Sequence, residues 1–220
     1  AVFGTESKPG VDRDPHLYIM HGRIPLVAGY YSHADEYPKV VREFSNEAEI
    51  IYINADVLEL NTQSYFGVIA HELQHAIHWE ADRTEEAWVN EGLSELATRL
   101  AGLPVRLVRA FHMNPNTQLN TWPDGPGKSA PHYGASYLFM KYLIDNYGGL
   151  DRLKGLLEEP ADGIAGIERW LASGGYPDRF EDVFAKWVVA NAYWDGALKS
   201  GYSGGGGRVV NVKPLQSEGE

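Results

Sequence analysis

The stretch IAHELQHAIHWEADRTEEAWVNEGLSELA, residues Ile69–Ala97, decides the fold because two helical patterns meet inside it. Around Ser64 to Glu80, the residues Phe66, Ile69, Leu73, Ala76 and Ile77 recur at helical spacing and form one apolar stripe. Around Glu85 to Ala101, Val89, Leu93, Leu96 and Leu100 form a second. Ser64 and Thr84 are the expected N-caps, and Gly102 and Pro104 close the second helix.

Polar residues of one kind sit opposite both stripes. His71 and His75 are four apart on the first helix, slightly more than one turn, so their rings project from one face. Two imidazoles placed so can converge on one tetrahedral ion. Glu72, the next residue round, can overhang that ion without ligating it and accept a proton from an attacking water. A third protein ligand is needed. Glu91 is the first choice, with Glu86, Asp82 and Glu95 as alternatives. Glu91 and Glu95 are again four apart and again opposite their aliphatic stripe, so the ligand faces of the two helices are expected to meet.

Composition narrows the chemistry. No cysteine is present, so a metal must be held by His, Asp or Glu. The formal charge is −11, and it is concentrated. Asp35 to Glu95 holds 14 acidic and 3 basic residues; the remainder holds 30 − 14 = 16 acidic and 19 − 3 = 16 basic, which balance. Such a field opposes nucleic acid and anionic membranes. It can serve cationic substrates or calcium, although solubility is the plainer account. No apolar run reaches the length of a membrane span. Ala1-Val2-Phe3 lacks the charged start and apolar core of a signal peptide, and Met is absent there, as expected of a mature or excised chain.

The 220 residues are 44% hydrophobic, enough for one domain with a sizeable core. Expected strands are His16–Met20, Ile24–Tyr31 and Glu49–Asn54, with a short helix over Tyr37–Phe44. Met113–Pro131, rich in Asn, Pro and Gly, reads as a loop. Helices are expected over Gly134–Tyr147, Leu150–Leu157, Gly163–Ala172 and Phe180–Lys199. One catalytic domain is expected: residues 1–80 with the strands and first ligand helix, 81–200 mainly helical, and 201–220 a Gly-rich linker and tail. Trp79, Trp88, Trp170, Trp187 and Trp194 read as core, and His78 and His112 as packing or supporting residues.

His71-Glu-Leu-Gln-His75 followed by Asn90-Glu-Gly-Leu-Ser-Glu95 resembles the gluzincin zinc metallopeptidases, and within them the hyicolysin-type bacterial enzymes. The sharp match covers Ile69 to about Ala97. The resemblance implies an α+β zincin fold with a small mixed sheet above a mainly helical lower part. It also implies one catalytic Zn2+ held by His71, His75 and Glu91, with Glu72 as base and proton shuttle. Glu95 then stands where an acidic residue orients a ligand histidine, with Asn90 placed beside it. Several relatives carry Asp where this chain has Glu95, whose longer arm alters that contact. Such enzymes often supply an oxyanion donor from downstream; Tyr133 is the expected one, with His132 and Tyr137 behind it. Gly29 and Tyr30 are placed on an edge strand that pairs with an extended peptide.

The implied activity is endopeptidase cleavage of peptide or protein substrates, by a bacterial protein that is secreted or on the cell surface. A metzincin would need Gly at 78 and His at 81, where this chain has His78 and Ala81. Deformylases need a cysteine ligand. An aminopeptidase would need an acidic anchor motif for the substrate amine, and none is found. These two rivals, an aminopeptidase and a non-catalytic binding module that keeps the fold, remain the alternatives; an intact Glu72 weighs against the second.

Overall fold

The computed structural model describes residues 2–5, 10–105, 107–123 and 127–192. It is a mixed α/β structure, with a three-stranded sheet and a larger helical assembly. Strands β1 (Tyr18–Gly22), β2 (Gly29–Tyr31) and β3 (Ile50–Asn54) lie in the order β1-β3-β2, with β1 parallel and β2 antiparallel to β3. The central strand, Ile-Ile-Tyr-Ile-Asn, is β-branched and aromatic, as a strand buried on both faces requires. Its Ile51 and Ile53 face helix α1 (Gln63–Ala81) and meet Val68, Ile69 and Leu73 there. Gly29 of β2 passes so close to α1 that a Cβ would lie 2.6 Å from Val68 Cγ1 and 2.8 Å from Tyr52 O. No larger residue fits there, and β2 is held directly above the helix.

The cap of helix α1 lies two residues before the expected one. Thr62, not Ser64, accepts a hydrogen bond from the Tyr65 N–H at 3.2 Å. Helix α2 (Ala87–Leu100) starts without a side-chain cap: its cap position is Glu86, two residues past the expected Thr84, whose hydroxyl donates to Asp82 and, at 2.9 Å, to Asp162. Val89, Leu93 and Leu96 are buried as expected, whereas Leu100 faces solvent.

The helical side comprises α2, α3 (Val108–Met113), α4 (Ala130–Asn146), α5 (Leu153–Leu157), α6 (Gly163–Ser173) and α7 (Phe180–Ala192). Gly92 permits the closest approach of α2 to α4: a Cβ would meet Met140 Cγ and Ser136 O at 2.8 Å. Trp88, Phe139, Phe111 and Trp187 interlock with ring centroids 5.5–5.7 Å apart. Trp170 is also buried. Trp79 is only half-buried and stacks on His33 at 4.0 Å, and Trp194 lies outside the described residues.

Three expectations are corrected. Tyr37–Phe44 is not a helix. A 3-10 turn over His33–Glu36 is followed by turns, pinned by buried Asp35, which accepts from Asn46 N–H at 2.7 Å and from Tyr52 OH at 2.7 Å. Val40, Val41 and Phe44 all face water, so no apolar face drives a helix there. Helix α4 starts at Ala130 rather than Gly134, because Pro131 is tolerated in a first turn, where its missing N–H costs nothing. Helix α3, in a segment given no element, exists where Gly134 lets α4 approach the Leu107 carbonyl. Residues 193–199 of the expected last helix, and the tail 201–220, lie outside the described residues. Among the described residues no helix is long and apolar enough to cross a membrane.

Candidate metal centre

The polar faces of α1 and α2 meet. His71 Nε2 lies 3.0 Å from Glu91 Oε2, and His75 Nε2 lies 3.5 Å from the same oxygen. One donor atom from each of the three falls within 4.8 Å of the others, and among the described residues this is the one such group able to hold a metal ion. An ion bound at about 2.0–2.2 Å in a tetrahedron has donors roughly 3.4 Å apart. The two distances to Glu91 bracket that value, so these contacts are compatible with a small tetrahedral cation. Among the described residues the acidic segment brings no second donor group of this kind together.

Each imidazole is also held from behind. His71 Nδ1 lies 3.4 Å from Glu95 Oε1. His75 Nδ1 lies 3.0 Å from Asn90 Oδ1 and 3.1 Å from Ser94 Oγ. A carboxylate or carbonyl at Nδ1 keeps the proton there and leaves the Nε2 lone pair for a cation. The longer arm of Glu95 therefore still reaches its histidine.

Charge balances inside the group. Burial opposes the charge on His71, but hydrogen bonds to Glu91 and Glu95 and the nearby Glu72 outweigh it and raise its pKa to about 10. Burial likewise opposes the charge on Glu91, yet its hydrogen bonds to His71 and His75 hold it down at about 2. A cation entering here must displace the His71 proton.

Glu72 is buried and outside the three-donor group. Its Oε2 accepts from the Tyr31 N–H at 3.0 Å, so the end of β2 fixes the carboxylate. Tyr133, near the start of α4, packs with its ring centroid 6.0 Å from that of His71. Burial, then the carboxylates Glu91, Glu72 and Glu95, push its pKa upward, so the hydroxyl keeps its proton. Tyr133, His71, Glu72, Glu95 and Gly29 line one cleft of about 660 Å³, which Leu26, Val27 and Leu107 also line.

Not every expected residue reaches the cleft. Tyr30 points to the other face of the sheet and stacks on Tyr52 at 4.5 Å. His132 packs edge-on against Trp122, and Tyr137 is buried in the helical core. Four supporting groups escaped the sequence reading: the Tyr31 N–H, Gln74, Ser94, and the contact of His78 with Asn90. The Ser94 hydroxyl donates to Gln74 Oε1. His78 Nδ1 lies 3.1 Å from Asn90 Oδ1. A signal was present, since Gln74 and His78 are four apart on α1, and Asn90 and Ser94 four apart on α2. Two i,i+4 polar pairs on facing helices mark a buried seam.

Neither a protein-family model nor a curated protein matches this chain.

Proposed function

We propose that this chain is a zinc-dependent endopeptidase of the gluzincin type, in which the sheet and α1 form the upper part of a zincin fold and the helices the lower. The observation that carries this reading is the convergence of His71 Nε2, His75 Nε2 and Glu91 Oε2, with Glu72 beside them but outside the ligand set. Two imidazoles and a carboxylate without thiolate suit zinc. Zinc held there supplies a Lewis acid and lowers the pKa of water toward ~7.

The chain's own residues account for the remaining chemistry. Glu72 takes the proton of the attacking water and returns it to the leaving amine nitrogen. The Tyr31 N–H keeps one of its oxygens fixed while the other faces the reaction. Tyr133, protonated at working pH, donates to the oxygen that gains charge as the carbonyl is attacked. Because the Tyr31 N–H points away from β3, the outer edge of β2 faces the cleft, and an extended peptide can lie along Gly29 there. A secreted or cell-surface location goes with this reading.

Hydrolysis of casein and of a quenched peptide library, by wild type and Glu72→Gln with zinc assayed in both, is the test. The expected result is one zinc in each, and about 10²–10⁴-fold slower cleavage by the variant. Absence of zinc from a folded wild type would overturn the metal assignment. Zinc in both with cleavage by neither would overturn the peptidase.

A further inference from the structure

Asn90 receives two histidines, one of which belongs to the metal group. Its Oδ1 lies 3.0 Å from His75 Nδ1 and 3.1 Å from His78 Nδ1. A side-chain amide can face these two rings with its carbonyl or, after a half-turn, with its NH₂. The choice decides the chemistry of His75. A carbonyl demands Nδ1–H and leaves Nε2 free to bind a cation. An NH₂ group demands a bare Nδ1 and moves the proton to Nε2, where it blocks ligation.

Ser94, the other neighbour of His75 Nδ1, gives its hydroxyl hydrogen to Gln74, so its oxygen accepts from Nδ1–H and favours the same tautomer. A hydroxyl can also rotate to donate, so Ser94 alone does not make the choice.

His78 does make it. The ring is buried, and its Nε2 has no hydrogen-bond partner. A proton on Nε2 would leave an orphaned N–H inside the protein, which is rarer than an orphaned acceptor. The proton therefore belongs on Nδ1, where Asn90 takes it. That donation holds the Asn90 carbonyl inward.

We propose that His78 is a positioning residue: its Nδ1–H locks the Asn90 amide, and the locked amide sets the His75 tautomer that can bind metal. The chain of effect is His78 to Asn90 to His75, three side chains across the α1–α2 seam. The inference rests on the metal-site reading above for its purpose, but the tautomer can be read without metal.

The test compares wild type, His78→Phe and His78→Asn. Phenylalanine keeps a buried ring and deletes the donor, while asparagine restores an N–H near the Nδ1 position. Zinc affinity is measured by competition with a chromophoric chelator, and the His75 tautomer by imidazole ¹⁵N shifts of chelator-treated protein at pH 8. Expected are a 10–100-fold loss of zinc affinity in His78→Phe, recovery to within about threefold in His78→Asn, and a His75 signal that leaves the pure Nδ1–H form only in the phenylalanine variant. A folded His78→Phe with wild-type affinity and an unchanged His75 tautomer would overturn the proposal. So would equal losses in both variants, since these track packing rather than the donor. If wild type itself binds no zinc, the metal reading falls while the ¹⁵N comparison still decides the lock.

Discussion

Helices α1 and α2 carry their acidic and imidazole ligands at the same spacing, yet they are held in the protein in opposite ways. α2 buries Val89, Leu93 and Leu96 in the helical core and turns Glu91 and Glu95 outward from it. α1 leaves Phe66 exposed and Ile69 and Leu73 half-covered on a sheet whose fully buried apolar side chains beneath it are few, and it lays half-covered Ile77 against the helical core. Besides Tyr65 and Ala76, what α1 buries is polar: Glu72, Gln74 and His78. One side of the site is therefore fixed by apolar packing and the other by hydrogen bonds. The fixed side presents Glu91. The hydrogen-bonded side presents both histidines and Glu72.

That contrast can be broken by matched truncations. Leu93→Ala, at a position with no solvent exposure, is expected to cost about 2–5 kcal/mol in urea unfolding. Leu73→Ala, on the half-covered stripe of α1, is expected to cost clearly less. Equal losses would mean that the two helices are anchored alike.

Gly92 sharpens the same point from the other direction. Gly92→Ala places a methyl 2.8 Å from Met140 Cγ and from the Ser136 carbonyl, so α2 must move off α4. Overpacking of this kind costs about 1–3 kcal/mol. Because Glu91 is the neighbouring residue, zinc affinity is expected to fall as well. Thermal melts and chelator competition read the two effects separately. A variant with lowered stability but unchanged affinity would show that Glu91 is not positioned by this contact.

The helical side was the more legible in sequence for a physical reason. Val89, Leu93 and Leu96 repeat at 3.6-residue spacing because one continuous core faces them, and a repeat is visible locally. The metal group was legible for the same reason, since His71/His75 and Glu91/Glu95 are each one turn apart. Contacts that cross from one element to another left no repeat. The Tyr31 N–H that holds Glu72 is a backbone group, present in every residue but proline, and only the β2–β3 pairing aims it. The misread helix over Tyr37–Phe44 had the opposite fault: its apolar residues suggested a buried face, but Asp35, Ser45 and Asn46 satisfy one another and leave Val40 and Phe44 in water. Thr84 likewise looked like a cap, but α2 is capped at Glu86, and the Thr84 hydroxyl donates to Asp162, 78 residues away.

A pH effect separates the two sides next. In chelator-treated protein the His71 pKa is raised to about 10 from an unfolded value near 6.5, and that of Glu91 is lowered to about 2 from 4.5. The raised histidine contributes stability that is whole below about pH 6.5 and is lost as pH rises through 10. The lowered glutamate contributes stability that is whole above about pH 4.5 and is lost as pH falls through 2. Their shared contribution is thus greatest between about 4.5 and 6.5. Burial of both charges offsets much of their attraction, so the expected effect is on the order of 1 kcal/mol. Melting temperature should decline between pH 7 and 10, and more steeply in wild type than in Glu91→Gln. Parallel declines would mean that the pair does not couple to folding.

The smallest effect concerns the cleft mouth, on the hydrogen-bonded side. Leu26 lies there with φ +73°, a conformation that bulky residues rarely adopt, and it is 87% exposed. Buried Asn54 imposes the bend: its amide nitrogen donates to the carbonyls of Ile24 and, at 2.8 Å, of Val27. Leu26→Gly relieves a strain of about 1–2 kcal/mol, against the extra unfolded-chain entropy of glycine, about 0.5–1 kcal/mol. Almost no packing is lost, so a net gain of roughly 0.5 kcal/mol, or about 1–2 °C in melting temperature, is expected. A fall of similar size would mean that this side chain packs more than its exposure implies. A gain in stability accompanied by weaker peptide cleavage would place the strained leucine among the groups that meet the substrate, since strain kept at a cleft is kept against stability.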